Sequence, residues 1–421
     1  MEISSFDNIE KNMRILVIST WFPYPPICGA KIRKHNLIRQ LARFTEVDLI
    51  ALVQTLDQEQ VEEGKQYLKN YCGNVHAISA IPYNAKATST LQKIISPVPD
   101  VIRITRNAEF EERICEAWSR RNYDAAIATE CGVTYISTFS SVSQKIRPLL
   151  VDSIEIGVLR PKSRLLSRQY IRQAMTFMKA KQFLSQLLRD VDIITVTSKS
   201  ERALFNGVIP QKVPCFISPN VIDLNDYSDT YGPRDRRSII HTGSFSYGVN
   251  YEAVLWFSQH VFWRIKAKDS LSFRITGKTA GSDLAPIRKA CSQVEFTGLV
   301  KDIRPYIAQS RISIVPILTG GSTRLKILES MALGTPVVST SRGAEGLEVT
   351  HEENILLADT PEDFAHQVDR LIEDDELCNR LSLRGQQLIK NKYTINRMGE
   401  QFEELLRGLI KKDGHTIKPC S

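Results

Sequence analysis

Short apolar runs without alternating polar positions recur along the chain, and helix-like spacing separates most of them. The first run covers residues 14–20 and the second residues 47–53, with apolar residues at helical spacing over 31–44. Continuous apolar runs of this length are typical of parallel strands buried on both faces. The pattern therefore predicts a doubly wound α/β domain that begins strand, loop, helix, strand. Further strands are predicted at 75–79, 125–129, 149–152 and 193–197.

A second series of the same kind begins at residue 238. Its predicted strands are 238–242, 272–276, 294–297, 312–316, 337–340 and 355–358, and its predicted helices are 250–266, 324–333, 361–373 and 376–392. Asn250 is a candidate N-cap of the first of these helices. The polar stretch between the two series, rich in Pro, Asp and Gly, predicts a linker. The expected organisation is a leader at 1–13, one Rossmann-like domain at 14–217, a linker at 218–235, a second Rossmann-like domain at 236–394, a last helix at 395–411 and a tail at 412–421.

Composition is that of an ordinary soluble protein, with 42% hydrophobic and 24% charged residues among 421. This excludes disorder, collagen and coiled coil as descriptions of the whole chain. No apolar run approaches the roughly 18 residues of a membrane-spanning helix. The N-terminus carries acids where a signal peptide has lysines, so we expect a cytoplasmic location.

Cysteine spacing argues against a metal site or a disulfide framework. The eight cysteines form no CxxC pair, and the seven histidines do not cluster with them. Scattered reduced thiols acting as small apolar residues are the favoured interpretation.

The loop after the predicted strand 312–316 holds the most informative chemistry. Gly320 and Gly321 let the backbone approach a ligand closely, and Ser322 and Thr323 are candidate caps of the helix that follows. Because the start of a helix presents amides and the positive end of its dipole, this arrangement is suited to an anion.

The helix itself adds three charged side chains. Arg324 and Lys326 carry positive charge suited to a diphosphate, and Glu329 can accept hydrogen bonds from sugar hydroxyls. An ordinary strand-to-helix loop with a surface Lys–Glu pair explains the same spacing about equally well.

A second loop with similar properties follows the predicted strand 238–242. It begins Gly243, Ser244 and Phe245 and precedes a helix, so it is a further candidate for phosphate binding. Neither a Walker lysine pattern nor G-x-G-x-x-G occurs here or after the first strand, which disfavours NTPases and dinucleotide-dependent dehydrogenases.

Three motifs in order resemble one known family. Residues 294–303 read VEFTGLVKDI, residues 326–338 read KILESMALGTPVV, and residues 219–223 read PNVID. These segments are similar to the "V-x-F-x-G-x-v-x-D", "LLEAMAxGxPVV" and "PNGVD" motifs of the retaining family 4 glycosyltransferases of the GT-B fold, the glycosyl transferases group 1. The similarity is strong over 236–392 and weaker over 14–215, where the first strand and the Gly29 loop are the main match.

The resemblance implies two Rossmann-like domains that face each other across a cleft, with the last helix returning to the first domain. It implies a nucleotide-diphosphate sugar on the C-terminal domain and a sugar or lipid-linked acceptor mainly on the N-terminal one. Members of the family generally need no metal or other cofactor. The expected activity is retaining sugar transfer in surface polysaccharide or glycoconjugate assembly.

Matched position by position, Glu329 corresponds to the second acid of the family's E-x7-E motif, which is expected at the nucleotide ribose. The first acid would fall at Gly321 and is absent. The family's basic pair is also not found near Gly243, so we expect Arg324 and Lys326 to contact the diphosphate. In the N-terminal domain, Glu130 is a weak match to the family's His-Glu-Pro segment, whose histidine is absent here.

A basic segment explains part of the net charge of +8, which arises from 55 basic and 47 acidic residues. Residues 156–189 contain no Asp or Glu. One helical face of this segment carries Arg164, Arg168, Arg172 and Lys179. Such a segment predicts contact with an anionic membrane surface. A solvated helix face, or one side of the cleft, is the alternative, while sparse aromatic residues disfavour nucleic acid.

Two other functions remain open on the same fold. The absent acid at Gly321 is compatible with a non-catalytic nucleotide-sugar-binding scaffold, and a nucleotide-sugar epimerase would use the same donor site.

Overall fold

The structure is a computed structural model, and it describes residues 13–54, 56–80, 107–129, 146–153, 178–179, 181–182, 184–185, 188–209, 213–228, 231–319 and 324–411. The chain divides into two compact units. One comprises Met1–Ser218 and Met398–Ser421, and the other comprises Pro219–Arg397. None of the helices described in these ranges has both the length and the apolar character that a membrane span requires.

The first unit is built on a parallel sheet in the order β3-β2-β1-β4-β5-β6-β7. These strands are β1 Arg14–Ser19, β2 Glu46–Val53, β3 Asn74–Ser79, β4 Ala125–Thr129, β5 Leu149–Asp152, β6 Ile193–Val196 and β7 Cys215–Ile217. The central strands are almost wholly buried, as parallel strands between helical layers are. Its described α-helices are α1 Gly29–Leu41, α2 Gln58–Leu68, α3 Ala108–Arg120 and α4 Lys199–Val208.

A buried ion pair attaches α1 to the sheet. Arg33 Nε and Nη2 donate to the two carboxylate oxygens of Asp152, at 2.9 and 2.6 Å, and Thr195 Oγ1 donates to the same carboxylate at 2.7 Å. Removing one partner would leave an uncompensated buried charge, so the pair holds α1 in one place relative to β5.

The second unit repeats the plan, in the order β10-β9-β8-β11-β12-β13. These strands are β8 Asp235–Thr242, β9 Ser272–Thr276, β10 Val294–Gly298, β11 Ser310–Val315, β12 Val337–Ser339 and β13 Leu356–Leu357. Its α-helices are α5 Gly248–Trp256, α6 Ala285–Ala290, α7 Arg304–Ala308, α8 Leu325–Ala332, α9 Pro361–Glu373 and α10 Asp375–Lys392.

The strand order creates a topological switch point in each sheet. In the first unit β1 pairs with both β2 and β4, and in the second β8 pairs with both β9 and β11. The chain therefore leaves the paired central strands in opposite directions. Ligands of open α/β sheets bind outside the carboxyl ends of the strands at such points.

The prediction of one α-helix over 250–266 is wrong for the second half of that range. The α-helix ends at Trp256, and a π-helical turn at Phe257–Val261 and a 3-10 turn at Phe262–Arg264 follow. These turns bring Phe257 and Phe262 onto Phe273, with ring centroids 5.2 and 6.0 Å away. Because both phenylalanines must face the core, the backbone changes its helical phase there.

The segment predicted as a linker packs against the second unit from Pro219 onward. Ile222 pairs with Thr394, and a 3-10 turn at Leu224–Tyr227 follows. The last helix, α11 Ile395–Ile410, begins in the second unit, and from Met398 it belongs to the first. There Gly399 lies against Gln40, and Gln401 Nε2 donates to the carbonyl of Ile217 at 2.7 Å.

Two glycines bring the ends of β8 and β9 together. Gly243 and Gly277 have φ of +138° and +144°, in the region that favours glycine. A Cβ on Gly277 would lie 2.5 Å from the carbonyl oxygen of Gly243. The loop after β8 thus depends on the absence of a side chain on its neighbour.

We expect Gly277→Ala to lower the free energy of unfolding by more than the roughly 1–3 kcal/mol that backbone strain alone costs, because its Cβ also meets backbone. Gly281→Ala is the matched control, since Gly281 has φ of +84° but open space around its Cβ position. Urea denaturation of both variants measures the difference. If both variants lost the same free energy of unfolding, the close approach of the two loops would not contribute to stability.

Candidate functional site

The candidate site lies at the switch point of the second sheet. His241 is next to last in β8, Gly243 follows that strand, and Lys326 lies in the first turn of α8, after β11. Since β8 and β11 pair in parallel, their carboxyl ends meet at one edge of the sheet. The fold therefore brings together side chains that are far apart in sequence.

The Lys326 ammonium is the centre of this arrangement. Its Nζ donates to Asn250 Oδ1 at 2.9 Å and lies 3.3 Å from His241 Nε2. Both partners are uncharged acceptors, so they orient the ammonium without neutralising it. A Lys ammonium has three protons, and these contacts use two of them.

His241 is fully buried, and its other ring nitrogen determines which tautomer it adopts. Nδ1 lies 3.1 Å from the carbonyl oxygen of Ile314, which can only accept, so Nδ1 carries the proton. The unprotonated Nε2 is then free to accept from Lys326. Burial, with Lys326 adding to it, lowers the pKa of His241 well below its ordinary value, so the ring is neutral at pH 7.

Asn250 is held in place by the loop it faces. Its Nδ2 donates to the carbonyl of Ser244 at 2.8 Å, which directs Oδ1 towards Lys326. A Cβ on Gly243 would lie 2.7 Å from Asn250 Nδ2 and 3.0 Å from Lys326 Nζ. Glycine at this position is therefore required for the approach of both side chains.

Burial, and secondly the charge of Arg324, lowers the pKa of Lys326 to about 7, although Glu329 opposes the shift. Near neutral pH the site thus contains both the charged and the uncharged amine. A bound anion would favour the ammonium and raise its pKa again.

Glu329 lies one turn further along α8 and contacts Tyr227. The Tyr227 hydroxyl donates to Glu329 Oε1 at 3.1 Å. Burial raises the pKa of Glu329, while this hydrogen bond and Lys326 act in the opposite direction. Burial and the nearby Glu329 likewise raise the pKa of Tyr227, so the tyrosine remains a donor. This hydrogen bond occupies one of the two carboxylate oxygens of Glu329.

Arg324 is the N-cap residue of α8 and is only 9% exposed. Its Nη2 donates to the carbonyl of Thr319 at 3.3 Å, and its buried Nε meets no hydrogen-bond partner within the described residues. Burial lowers the pKa of this guanidinium. A buried guanidinium N–H beside a helix start is suited to an anion.

The predicted residues Gly243, Arg324, Lys326 and Glu329 thus belong to one region, with Ser244 bonded through its carbonyl to Asn250. Phe245 is instead a core residue that packs edge-on against Tyr251 and Phe296, with centroids 5.5 and 6.3 Å away. In the first unit, Gly29 is the first residue of α1, and Lys179 lies half-buried in a helical turn. The remaining predicted residues lie outside the described ranges: Glu130, Arg164, Arg168, Arg172, Gly320, Gly321, Ser322 and Thr323.

Three residues of the candidate site were not predicted from the sequence to have these roles. Asn250 was predicted as a helix N-cap, which is wrong: the helix begins at Gly248, and the Asn250 side chain binds Lys326. His241 and Tyr227 carry no local signal, because a buried histidine in a strand and a tyrosine in a polar stretch are both commonplace. In the part of the chain that the structure describes, no three His, Cys, Asp or Glu side chains form a group suited to a metal ion.

Residues 236–374 match the family model described as glycosyl transferases group 1. The match includes His241, Asn250, Arg324, Lys326 and Glu329. Over this range the second unit is therefore similar to a glycosyl transferases group 1 domain, and the candidate site lies almost entirely within the matched residues.

Three known proteins are similar over different lengths. The chain is 22% identical over 373 residues to an uncharacterised 44.6 kDa protein in the cps region of Klebsiella pneumoniae, which covers 84% of this chain and 90% of that protein. It is 29% identical over 116 residues to the lipopolysaccharide core biosynthesis glycosyltransferase LpsE of Rhizobium meliloti, or 27% of this chain and 34% of that one. The solved structure of Anabaena Alr3699/HepE in complex with UDP and glucose matches 94% of this chain and 100% of its own, with a TM-score of 0.64 and 17% identity. This likeness confirms the predicted GT-B fold.

The lowered pKa of Lys326 predicts a pH-dependent stability. Below pH 7 the folded and unfolded chains both hold the proton. Between about 7 and the ordinary lysine value of about 10.4, only the unfolded chain holds it. Stability should therefore rise with pH over this interval, by on the order of 1.4 kcal/mol per pH unit.

Urea denaturation at several pH values tests this, with wild type compared to Lys326→Met. The variant should lack the rise, whereas Lys301→Met, at an exposed lysine of the same unit, should keep it. Parallel curves for wild type and Lys326→Met would contradict the prediction.

Proposed function

We propose that this chain is a retaining glycosyltransferase that moves a sugar from a nucleotide-diphosphate sugar to a sugar or lipid-linked acceptor in surface polysaccharide or glycoconjugate assembly. The observation that carries the proposal is the Lys326 ammonium, held between His241 and Asn250, with no carboxylate among its hydrogen-bond partners in the part of the chain that the structure describes. The family match over 236–374 supports sugar transfer. The similarity to a lipopolysaccharide glycosyltransferase and to a protein of a cps region supports the biosynthetic setting.

In this proposal the diphosphate binds at the start of α8. Lys326 and Arg324 supply positive charge there, and the backbone at Gly243 leaves room for the phosphates, a role that the sequence also predicts for Gly320 and Gly321. Glu329 accepts hydrogen bonds from the ribose hydroxyls with the oxygen that Tyr227 does not use. The solved complex of Alr3699/HepE with UDP and glucose supports a donor of this class.

The reaction breaks the bond between the sugar C1 and the β-phosphate oxygen, and the bonding electrons go to the phosphate. The acceptor oxygen forms its bond to C1 on the same face, and its proton passes to the leaving phosphate oxygen. Lys326 and Arg324 stabilise the charge that develops on that phosphate, which is the largest contribution this site offers. Because side chains provide that charge, we propose that no metal ion is needed.

The first unit then provides the acceptor side, with Gly29 at the start of α1 and Glu130 as candidate contacts. A basic face of Arg164, Arg168, Arg172 and Lys179 would hold the protein at the inner surface of the cell membrane, where a lipid-linked acceptor is found.

One observation favours a second candidate function. Gly321 stands where the family motif has its first acid, so a scaffold that binds the donor without turnover remains an alternative. An epimerase acting on the free donor would be recognised by conversion without an acceptor.

Replacing the site residues should abolish turnover. We expect the double variant Arg324→Ala/Lys326→Ala to lower sugar transfer by at least two orders of magnitude, because removing one charge-stabilising donor typically costs about 10²–10³ in rate. Glu329→Ala should also lower transfer strongly, because it removes the carboxylate that accepts hydrogen bonds from the ribose hydroxyls. The assay uses a panel of nucleotide sugars with membrane extract as acceptor source, and NMR of the product gives the anomeric configuration.

Glu376→Ala, at an exposed acid of the same unit, is the control and should retain wild-type rates. Near-wild-type transfer by folded Glu329→Ala would refute the site assignment, and an inverted product would refute retention. Donor binding without product across all acceptors would favour the scaffold instead.

Membrane contact gives a separate prediction. Wild-type protein should co-sediment with liposomes containing anionic lipid, and less so at high salt, because each basic residue near such a surface contributes about 1 kcal/mol. Replacing Arg164, Arg168 and Arg172 with Gln should greatly reduce binding. Replacing Lys289, Lys301 and Lys390 with Gln removes the same charge from the second unit and should not. Equal binding by all three proteins would exclude the proposed surface.

A further inference from the structure

A cavity lies at the edge of the second unit's sheet that is opposite the candidate site. It has a volume of about 690 Å³, and three arginines line it: Arg234, Arg236 and Arg311. Arg234 directly precedes β8, Arg236 is its second residue, and Arg311 is the second residue of β11. They therefore belong to the amino ends of these strands, whereas Lys326 lies beyond the carboxyl ends.

The two regions are separate sites. Arg236 and His241 are five residues apart on the same strand, which corresponds to about 17 Å at roughly 3.3 Å per residue. A ligand held by Lys326 would not fill the arginine-lined cavity, and nothing in the proposed sugar transfer uses these arginines.

The described lining of this cavity has an excess of positive charge. Asp375 is the acid among these lining residues, and both Arg236 and Arg311 pair with it, the latter through Nη2 at 2.6 Å from Oδ1. Arg234 instead donates to the backbone carbonyls of Ala308 and Gly334, at 3.3 and 2.9 Å. Two guanidiniums thus share one carboxylate, and the third is paired with backbone carbonyls only, so the described lining carries three positive charges and one negative charge.

Two of these arginines, Arg234 and Arg311, are also held in place by backbone carbonyls. Arg311 is 6% exposed, and its Nε donates to the carbonyl of Leu371 at 2.8 Å. The contacts of Arg234 hold its guanidinium between α7 and the turn that ends α8. Pre-positioned guanidiniums are the groups that bind phosphate oxygens best, because their paired N–H groups match the geometry of the anion.

The other side chains that line the cavity are suited to contact a sugar ring and its hydroxyl groups. Tyr227 and Tyr231 present aromatic rings, and Asn379 and Gln386 present side-chain amides. The volume lies within the roughly 300–1,000 Å³ of small-molecule sites.

We propose that this cavity is a second ligand site of the protein, which binds a sugar that bears a phosphate group. The arginines hold the phosphate, and the amides and tyrosines contact the sugar. Free sugar phosphates and nucleoside monophosphates both contain this chemistry, and binding experiments distinguish them.

Tyr227 connects the cavity with the donor site. It lines the cavity, and its hydroxyl donates to Glu329 at 3.1 Å. An occupant that contacts Tyr227 will change the strength of that hydrogen bond, and with it the affinity of Glu329 for a ribose. This second part of the proposal rests on the proposed function, because it takes Glu329 as a donor-binding residue.

Calorimetric titration tests the site with three probes: inorganic phosphate, glucose 1-phosphate and UMP. The variant Arg324→Gln/Lys326→Gln, in which the donor site is disabled, should still bind one equivalent of glucose 1-phosphate or UMP. Adding Arg236→Glu should weaken that binding at least tenfold. Adding Arg237→Glu is the matched control, since Arg237 is the exposed neighbour on the same strand and does not line the cavity.

The outcomes are decisive in both directions. Absence of saturable binding, or an equal loss with Arg237→Glu, would overturn the site. Equal affinity for inorganic phosphate and the sugar-bearing probes would overturn the role of the amides and tyrosines. Should the double variant fail to fold, Arg236→Glu in the otherwise wild-type chain should bind one equivalent of UMP fewer than wild type.

The connection through Tyr227 is tested by donor titration with and without the tighter of glucose 1-phosphate and UMP. Donor affinity should change several-fold in wild type and stay constant in Tyr227→Phe, which should still bind the probe. Unchanged donor affinity in wild type would overturn the connection alone. A chain that binds the probe in the cavity but binds no nucleotide sugar would refute the proposed function and leave the second site standing.

Discussion

The candidate site depends on one lysine that is kept partly charged away from water. Lys326 is held by Asn250 and His241, both neutral, and burial lowers its pKa to about 7. Because its partners are neutral, such an amine is predisposed towards an anion. The surroundings follow from this requirement. His241 must keep its proton on Nδ1, where Ile314 accepts it, and Gly243 must lack a side chain.

The buried parallel sheet supports this arrangement. The strand order places the ends of β8 and β11 side by side. The close approach of Gly277 to Gly243 determines the path of the loop that leads from the end of β8 to Asn250. The cost of the close backbone approach is offset by the core beneath, where Phe245 packs against Phe296.

The second unit has positive charge at both edges of its sheet, with different partners at each. At the carboxyl edge, Lys326 contacts neutral groups, whereas at the amino edge Arg236 and Arg311 share Asp375. Tyr227 contacts Glu329 and lines the cavity of the amino edge. The net charge of +8 is therefore partly a property of defined sites within this unit.

The sequence by itself determined the α/β class, most strands and the helix that carries Arg324, Lys326 and Glu329, because apolar runs and a motif-bearing helix are local patterns. It did not determine which groups meet Lys326, because His241 and Asn250 come from elements 85 and 76 residues away. Only the tertiary structure decided that Asn250 binds this lysine, that the chain changes phase at Phe257, and that Tyr227 contacts Glu329. Hydrogen-bond partners depend on which strands become neighbours, and no local period along the chain encodes that.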